Sequence, residues 1–451
     1  MATCPKLPAQ PLLVILGSTG TGKSELAVEL AKRFRGEVIN ADAMQMYNGL
    51  PIMTNKMSVA EQQGIPHHLL GNIAPTEESW TIDGFQKEVS KILGEIRDRG
   101  NLPIVVGGTA YYVDALLFDN TTLHEDVPHT DEILPILEEP TEVLLAELQK
   151  VDPVMAERWH PNDRRKILRS LEIYLRTGRP ASELYAEQKR KRSASRDSPW
   201  ENLLFWVYSE GDVLKERLDR RVDKMLDAGL IDEARQLLHL KREEEAAGRP
   251  VDQTRGIWQV LGYKQLEPYL LALEGDTDPG ELEKIKASGI EDLKAGTRRY
   301  ANYQNKWTRR KKLPHLKEEG PEALNSLYLL DSTTVAKFWE DVVEPASRLT
   351  AQFLEGEARE LPVNLSDLAR EILTAAHASE PDVHRRQHCE ICNLTIGSEK
   401  QWALHLHSRQ HRARLKKKKG LALVPVGGSR PDSESSEPEI ASMFGSTTQA
   451  I

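Results

Sequence analysis

Short apolar runs alternate with longer amphipathic stretches through the first third of the chain. The run Leu12–Leu16 is wholly apolar, and Leu26, Leu30 and Phe34 then recur at helical spacing. Further strand-like runs occupy residues 37–40, 103–106 and 203–208. Apolar strands separated by amphipathic helices are typical of a parallel sheet that is covered on both faces. The pattern therefore predicts an α/β fold.

A glycine-rich segment follows the first of these strands directly. Residues 17–24 read GSTGTGKS and match the P-loop pattern G-x-x-x-x-G-K-[ST]. Successive N–H groups and the helix N-terminus then surround phosphate oxygens, Lys23 adds a positive charge, and the Ser24 hydroxyl can ligate Mg²⁺. The alternative, a glycine-rich turn that opens an ordinary helix, is disfavoured because strand, loop and helix are all in place. The segment predicts a binding site for a diphosphate or polyphosphate.

Two other segments follow strand ends. Asp42 comes just after the second strand, and Gly107, Gly108 and Thr109 follow the third. Ligands of open α/β sheets bind at the carboxyl ends of strands, which favours a ligand contact for Asp42 over the alternative of a helix cap. A P-loop ATPase usually carries an acidic residue where the two glycines stand. We therefore expect a phosphate site without the usual ATPase machinery, and a phosphate contact for Thr109.

Arginines in a later helix return to the same region of the sheet. The helix predicted over 212–228 contains DRRVDKML, with Arg220 and Arg221 near its middle. An arginine there can clamp a leaving diphosphate, because guanidinium groups match phosphate geometry. Salt bridges to Asp219 or Asp223 within the helix are an equally good interpretation from sequence alone.

The net charge of −9 conceals two basic segments. Residues 297–312 read TRRYANYQNKWTRRKK and contain no acidic residue, and residues 385–419 are also strongly basic. Tyr300, Tyr303 and Trp307 lie among the cations of the first segment, where their rings could stack on bases. The segments predict a local contact with nucleic acid, although solvated charged surfaces remain the alternative. No apolar run is long enough to span a bilayer, so we expect no membrane contact.

A second motif lies near the end of the chain. Cys389 and Cys392 are followed by His405 and His411, at the spacing of a two-Cys/two-His zinc finger. Four protein ligands would close the coordination sphere, so a structural Zn²⁺ is expected, with the two histidines on one helix and with Trp402 and Leu404 filling a small core. The basic residues beyond His411 suit binding to a nucleic-acid backbone, although the lysine run could also be a nuclear-import signal.

Several stretches together match one family. GSTGTGKS, ADAMQMY, LPIVVGGTAYYVDALL, HPNDRRKILRSLEIYLRTGRP, DRRVDKML, GIWQVLGYKQLEPYL and TRRYANYQNKW stand in the order seen in tRNA dimethylallyltransferases, also called tRNA isopentenyltransferases. This resemblance covers about residues 12–312, and the finger resembles that of the eukaryotic members. It implies a P-loop NTPase-like parallel sheet core with a helical insertion domain and a small C-terminal finger.

The resemblance also implies a domain organisation. The catalytic core and its C-terminal tRNA-binding helices are expected over 10–120 and 200–312, with a helical, tRNA-binding insertion domain at 121–199. A linker with helices (313–384), the zinc finger with its basic tail (385–419) and a disordered tail (420–451) would follow.

The activity implied is transfer of a dimethylallyl group from dimethylallyl diphosphate to the exocyclic amine of the adenine immediately 3′ of the anticodon, with release of diphosphate. Asp42 matches the general base of the family, and Lys23, Thr109 and Arg221 match residues that stabilise diphosphate charge, with Mg²⁺ as a cofactor. The diphosphate would be held by Thr19, Gly20, Thr21, Gly22, Lys23 and Ser24. Members of the family commonly carry Ser after the catalytic Asp; here it is Ala43, and we expect activity to survive.

The anticodon stem-loop is the expected macromolecular partner. The residues predicted to contact tRNA are Asp42, Ala43, Met44, Gln45, Arg164, Arg165, Lys166, Arg255, Gly256, Trp258, Gln259, Arg298, Arg299, Lys306 and Arg309. The adenine must leave its stack to reach Asp42, so contacts to flanking nucleotides are also expected.

Other functions are possible from the motifs alone. A P-loop kinase, a cytokinin-type transferase acting on free adenine nucleotides, and an RNA-binding zinc-finger protein with an inactive P-loop domain are the alternatives. The first lacks an evident acidic partner for Mg²⁺, the second does not need the basic segments, and the third does not need Lys23, Asp42 and Arg221 together. We expect a monomer located in the cytoplasm, with mitochondrial and nuclear pools possible, since few cysteines and a short N-terminal segment indicate a reducing compartment and no export signal.

Overall fold

The computed structural model describes residues 8–118, 134–194, 201–378 and 384–422. These residues form two compact units. Residues 8–118 and 201–378 belong to the first unit, and residues 134–194 and 384–422 to the second. Most of the predicted disordered tail lies outside the described residues.

Eight strands are found in the described parts of the chain. They are β1 (Pro11–Gly17), β2 (Gly36–Asn40), β3 (His67–His68), β4 (Leu102–Val106), β5 (Glu201–Tyr208), β6 (Leu327–Asp331), β7 (His384–Cys389) and β8 (Leu394–Ser398).

Helices surround the strands. They are α1 (Lys23–Phe34), α2 (Ile82–Asp98), α3 (Ala110–Leu117), α4 (Thr141–Val151), α5 (Pro153–Arg158), α6 (Arg164–Thr177), α7 (Ala181–Ala194), α8 (Gly211–Asp227), α9 (Leu230–Ala246), α10 (Tyr263–Leu273), α11 (Pro279–Trp307), α12 (Leu313–Glu319), α13 (Pro321–Leu324), α14 (Glu344–Leu354), α15 (Asp367–Ala378), α16 (Glu399–His407) and α17 (Arg409–Ala422). Single 3₁₀ turns occur at Pro135–Glu138, Gly256–Gln259, Val335–Lys337 and Pro362–Asn364, and π turns at Thr308–Lys312 and Trp339–Val343.

The first unit is built on a six-stranded parallel sheet with the order β3-β2-β4-β1-β5-β6. Side chains of β1 alternate between two cores, with Leu12 and Val14 on one face and Leu13 and Ile15 on the other. Both faces are covered by helices, which is why β1 is apolar at every position. All six carboxyl ends meet at one edge of the sheet, and the loops that follow β1, β2 and β4 carry the P-loop, Asp42 and Thr109. The predicted α/β class is confirmed.

The segment after residue 312 differs from the predicted linker. It supplies β6, which pairs with β5 from Leu204↔Leu327 to Tyr208↔Asp331, and its Leu327, Leu329 and Tyr328 are buried. A five-residue edge strand is too short to stand out in a polar stretch, and its partner lies over a hundred residues earlier. The segment is therefore part of the first unit.

Two helical segments of the first unit are irregular. Gly262, whose φ of 116° lies outside the helical region, separates the 3₁₀ turn Gly256–Gln259 from α10. The basic stretch 297–312 is the end of the longer helix α11, followed by a π turn.

The second unit has its own apolar core. Leu144 and Leu148 of α4 belong to this core together with Ile167 and Leu171 of α6. Helix α6 begins where Asp163 accepts a hydrogen bond from Lys166 N and ends at Gly178, which adopts a φ of 71°.

The zinc-finger segment packs on this insertion rather than standing alone. Arg386 of β7 donates to the carbonyl oxygen of Ala156 at 3.1 Å and pairs with Glu157 at 3.5 Å. The His160 ring nitrogen Nε2 lies 3.2 Å from Thr395 O. The predicted insertion and finger thus share one compact unit. Across the described residues, no helix is both long and apolar enough to traverse a bilayer.

We predict that Leu329→Ala lowers the free energy of unfolding by about 2–5 kcal/mol, because it leaves a cavity in β6 at a fully buried position. Chemical denaturation monitored by circular dichroism measures this. The control Leu271→Ala removes a side chain that is 48% exposed on α10 and should change stability by less than about 0.5 kcal/mol. Equal stability of the two variants would contradict the assignment of this segment to the core.

Candidate active site and metal centre

Residues 17–24, predicted to bind phosphate and called the phosphate loop below, are shaped by two glycines. Gly20 and Gly22 adopt φ angles of 84° and 88°, in the left-handed region that favours glycine. A Cβ at Gly20 would lie 2.8 Å from Leu218 of α8, and one at Gly22 would lie 2.5 Å from the ring of Phe338. The loop is therefore packed from outside by two distant parts of the chain.

Cationic side chains converge on this loop. Lys23 Nζ donates to Ser18 O at 2.7 Å, and Arg221 Nη2 donates to Thr19 Oγ1 at 2.7 Å. Burial lowers the pKa of Lys23 to about 8, with Arg221 acting in the same direction and the charge of Asp42 opposing both. The loop thus holds two positive groups next to its backbone amides.

Arg217 braces the loop from behind. Its Nη1 donates to Gly20 O at 3.1 Å. Its Nη2 donates to the carbonyls of Ser332 at 2.8 Å and Thr333 at 3.2 Å, just after β6. The guanidinium therefore ties the phosphate loop to the last strand of the sheet, a role that the sequence analysis did not foresee.

The turn that carries Asp42 is held by Asn40. Asn40 Oδ1 accepts from Asp42 N at 3.1 Å, and Asn40 Nδ2 donates to Asp42 O and Leu69 O. Asp42 Oδ1 in turn accepts from Met44 N at 3.1 Å. Burial raises the pKa of Asp42, while the charge of Lys23 and the N–H groups of Met44 and Gln45 oppose that shift. This carboxylate is a stronger base than an exposed one and stands beside two cations.

The loops after β2 and β4 touch each other. Thr109 Oγ1 accepts from Ala43 N at 2.9 Å, and Thr109 N donates to Ala41 O at 3.2 Å. A Cβ at Gly107 would lie 2.2 Å from Ala41 O, so no side chain fits there. Glycine at this position thus allows the Asp42 turn and Thr109 to share one hydrogen-bonded frame.

One face of α11 closes the site. Gln304 is 5% exposed and contacts both the phosphate loop and the β4–α3 loop. Tyr300, one turn earlier, places its hydroxyl by Gln304 and Thr109, and burial together with the charge of Asp42 raises its pKa. The four residues predicted to be catalytic, Lys23, Asp42, Thr109 and Arg221, lie together within this frame.

The residues predicted to bind tRNA in the first unit have varied surroundings. Arg255, Arg299, Lys306 and Arg309 are exposed. Arg298 pairs with Asp219 of α8, at 2.6 and 2.7 Å, and Arg255 pairs with Asp252 at 3.3 Å.

Three of the residues predicted to contact tRNA are buried. Trp258 is 8% exposed and packs in the main core beside Tyr263, Gly256 is buried at a φ of 59°, and Ala43 is 7% exposed. The Trp258 ring is therefore a core side chain, and its assignment as a tRNA contact stays a prediction. Met44, Gln45 and Gln259 are half-buried, and Gln45 Nε2 donates to Asn55 O.

The predicted contacts of the insertion lie in the second unit. Arg164 donates to the carbonyls of Leu137 and Glu139. Arg165 and Lys166 are exposed, and the Lys166 ammonium lies 5.3 Å from the centroid of the Trp159 ring.

The predicted metal ligands form a cluster in the second unit. One ligand atom from each of Cys389, Cys392, His405 and His411 lies within 4.8 Å of the other three. His411 Nδ1 is 3.5 Å from each sulfur and 3.1 Å from His405 Nε2. Tetrahedral Zn²⁺ with ordinary bond lengths places sulfur and nitrogen ligands about 3.5 Å apart. The donor set and its spacing therefore fit a structural zinc ion.

Two details of the finger differ from the prediction. Helix α16 ends at His407 and α17 begins at Arg409, so His405 and His411 lie on different helices. Between the two helices, Ser408 Oγ accepts a hydrogen bond from His411 N. Leu404 is 65% exposed and does not fill the small core, whereas Trp402 is half-buried with its ring 6.0 Å from that of His405.

The missed site residues had weak signals in the sequence. Gln304 stands seven residues after Thr297 and three after Ala301, so helical spacing could have assigned it to a buried face. Asn40 ends a strand immediately before the Asp42 turn. Arg217 and Phe338 act through contacts between distant segments and had no local signal.

Comparison with known families defines the class of this chain. The IPP transferase family model matches residues 45–311, and the isopentenyl transferase model matches residues 10–76. A zinc-finger model of the C2H2 type matches residues 388–411. These matches identify the chain as a transferase of the isopentenyl type.

Individual relatives identify the family to which the chain belongs within this class. A tRNA dimethylallyltransferase of Schizosaccharomyces pombe is 38% identical over 433 residues, covering 92% of this chain and 96% of its own length. That of Mus musculus is 35% identical, covering 95% of this chain and 91% of its own. A crystal structure of a eukaryotic dimethylallyltransferase acting on tRNA has a TM-score of 0.76 and 33% identity over 92% of this chain and 98% of that one. The chain belongs to the tRNA dimethylallyltransferase family.

We predict that the purified chain carries about one zinc ion and that Cys392→Ser loses it, because three ligands hold the ion far less tightly than four. Plasma mass spectrometry of the desalted protein measures the metal content. His407→Ala is the matched control, since His407 is exposed on α16 and lies outside the cluster. Retention of zinc by Cys392→Ser, or its loss from the control, would contradict the assignment.

Proposed function

We propose that this chain transfers a dimethylallyl group from dimethylallyl diphosphate to the exocyclic amine of the adenine 3′ of the anticodon in tRNA. The nitrogen forms a bond to the allylic carbon, the carbon–oxygen bond to diphosphate breaks, and one amine proton leaves. The observation that carries the proposal is the placement of Asp42 in the frame that joins it to the phosphate loop and Thr109.

Asp42 is suited to accept that proton. The adenine amine is a poor nucleophile, because its lone pair is delocalised into the ring, and a base that removes its proton as the bond forms lowers the barrier. Burial makes the Asp42 carboxylate more basic, and Lys23 and Arg221 favour its ionised form. Asp42 Oδ1 is fixed by Met44 N, which orients the carboxylate.

The leaving diphosphate gains negative charge as the carbon–oxygen bond breaks. Loop amides, Lys23, Arg221 and the Thr109 hydroxyl are the donors that we assign to it. These groups are already held in place by hydrogen bonds to Ser18, Thr19 and Ala43, so little reorganisation is needed during the reaction.

We propose that a divalent cation at this site is held mainly by the bound diphosphate and less by protein side chains. Ser24 offers a hydroxyl that can bind the cation. The turn after β4 has two glycines at the place where a P-loop ATPase carries an acidic residue that binds Mg²⁺. Mg²⁺ commonly binds through substrate phosphates with few protein ligands. We propose that Mg²⁺ bound by the diphosphate and Ser24 neutralises charge on the leaving group.

The tRNA is assigned to the exposed basic face of α11 and its π turn. Arg299, Lys306 and Arg309 are exposed, and the stretch 297–312 that carries them contains no acidic residue. Such residues bind phosphates without reading sequence, while the adenine enters the site unstacked. The monomeric state and the cellular compartment stay predictions from the sequence.

The kinase alternative is less well supported. A kinase needs acidic ligands for Mg²⁺ near the phosphates, and Gly107 cannot be replaced by a larger residue without a clash with Ala41. A transferase acting on free adenine nucleotides is not favoured either, because the relatives named above are tRNA dimethylallyltransferases, and the experiment compares the two acceptors directly.

The test is one incubation of purified protein with Mg²⁺, labelled dimethylallyl diphosphate and either tRNA or AMP. We predict label in tRNA at the adenine beside the anticodon, and a turnover lower by about 10²-fold or more for Asp42→Asn, with tRNA affinity unchanged. Asp83→Asn, on the surface helix α2, controls for the loss of a carboxylate. Label in AMP but not in tRNA would favour the cytokinin-type reaction, and full activity of Asp42→Asn would remove it from the mechanism.

The pH dependence of diphosphate binding provides a second prediction. The pKa of Lys23 is lowered to about 8, so its positive charge is present below pH 8 and is lost as pH rises through that value. The KM for dimethylallyl diphosphate should therefore rise above pH 8, with little change in the KM for tRNA. Lys23→Arg should move this rise to higher pH, because arginine stays charged. A KM that is flat from pH 7 to pH 9.5 would contradict the role of Lys23.

A further inference from the structure

Helix α11 presents two different faces near its C-terminus. Its buried face carries Thr297, Ala301 and Gln304, and Arg299 and Lys306 are exposed on other sides. The buried face lies on the active site, while the exposed cations are those assigned to tRNA. One rigid element therefore connects the two substrates.

Gln304, together with the neighbouring Tyr300 hydroxyl, makes polar contacts between this helix and the reaction centre. Its Oε1 accepts from the Thr19 backbone N–H at 2.8 Å, and its Nε2 donates to Gly108 O at 3.1 Å. A single carboxamide thus bridges the phosphate loop after β1 and the loop after β4.

The surrounding chain is shaped to fit this amide. A Cβ at Gly108 would lie 2.2 Å from Gln304 Nε2 and 3.6 Å from Asp42 Oδ2. Glycine at 108 therefore leaves the space that the amide fills, next to the proposed base. Thr19 is held from both sides, because Arg221 donates to its hydroxyl while Gln304 accepts from its N–H.

The carboxamide makes both bonds because it carries an acceptor oxygen and a donor nitrogen. Glutamate would offer an acceptor to Thr19 N but no donor to Gly108 O when ionised, and lysine or arginine would offer donors alone. An apolar side chain of the same size would fill the space and leave both backbone groups without this partner. The pairing therefore needs a side chain that both donates and accepts.

We propose that Gln304 is a positioning residue that fixes the phosphate loop and the Gly108–Thr109 turn relative to each other, so that the diphosphate and Asp42 face one reaction centre. This inference rests on the proposed function, since it concerns where the allylic diphosphate is held. Gln304 acts on the substrate through Thr19 and Gly108 and transfers no proton. Because it belongs to α11, it also links the tRNA-binding helix to the diphosphate site.

The test compares Gln304→Met with the wild-type chain under steady-state conditions. Methionine has a similar volume and removes both hydrogen bonds. We expect kcat/KM for dimethylallyl diphosphate to fall by about 10–100-fold, because small displacements of bound groups are costly to catalysis. The tRNA dissociation constant should stay within about twofold, since the exposed face of α11 is unchanged.

Gln304→Glu is the second variant, and it retains the acceptor for Thr19 N–H. It should also raise the KM for dimethylallyl diphosphate, because it lacks the donor to Gly108 O and adds a negative charge near the leaving group. If Gln304→Met fails to fold, the KM of Gln304→Glu for dimethylallyl diphosphate tests the positioning role instead. Gln265→Met is the matched control: it makes the same substitution on α10, where the amide accepts from Gly262 N within its own helix cap, and it should leave the kinetic constants within about twofold.

Two results would overturn the inference. One is a kcat/KM for dimethylallyl diphosphate within threefold of wild type in both Gln304 variants. The other is a parallel loss of tRNA affinity and of melting temperature, which would mean that Gln304 only stabilises the fold.

A separate readout distinguishes this inference from the proposed function. Titration calorimetry with inorganic diphosphate should give a weaker affinity for Gln304→Met than for wild type, whatever the acceptor of the prenyl group. If the wild-type chain transferred no label to tRNA but showed this difference, the proposed function would fail and the positioning role would stand. Normal transfer together with equal diphosphate affinities and equal KM values would reject the positioning role alone.

Discussion

The close contact between Gly107 and Ala41 is the constraint on which the active site depends. The carbonyl oxygen of Ala41 leaves no room for a Cβ at position 107. Because Gly107 has none, the turns after β2 and β4 lie close enough for Thr109 to form hydrogen bonds with Ala41 and Ala43. That contact aligns Asp42 with the phosphate loop on the adjacent strand β1. A parallel sheet brings its carboxyl ends to one edge. This approach joins the loops after β2 and β4, and Gln304 then connects them to the phosphate loop.

Electrostatics follows from the same packing. Asp42, Lys23 and Arg221 lie close together, and the charge of Asp42 affects the ionisation of both cations as theirs affects that of Asp42. Burial alone would favour a neutral acid and a neutral amine. Their mutual attraction opposes that effect, so the site can keep a base and cations together without a metal-binding carboxylate.

The sequence predicted those parts of the site that are contiguous along the chain. GSTGTGKS specifies its own loop, and Asp42 and Thr109 directly follow apolar strands, so local pattern was sufficient to place them. Arg217, Gln304 and Phe338 were missed because their partners lie more than a hundred residues away and their residue types have no fixed meaning. Trp258 shows the same limit, since an aromatic residue beside cations can be a core side chain. Spacing gave the four ligands of the finger but not the helix break at Ser408.

The late position of β6 has a consequence for how the chain reaches its active form during synthesis. Arg217 donates hydrogen bonds to the carbonyls of Ser332 and Thr333, and the ring of Phe338 packs on Gly22. The phosphate loop that these contacts support lies within the first 24 residues. Domains of nascent chains fold as their segments emerge from the ribosome. The phosphate loop must therefore wait, incompletely supported, until some three hundred further residues have been translated. A ribosome that stalls before β6 would release a chain with every predicted catalytic residue and no braced loop to hold its substrate.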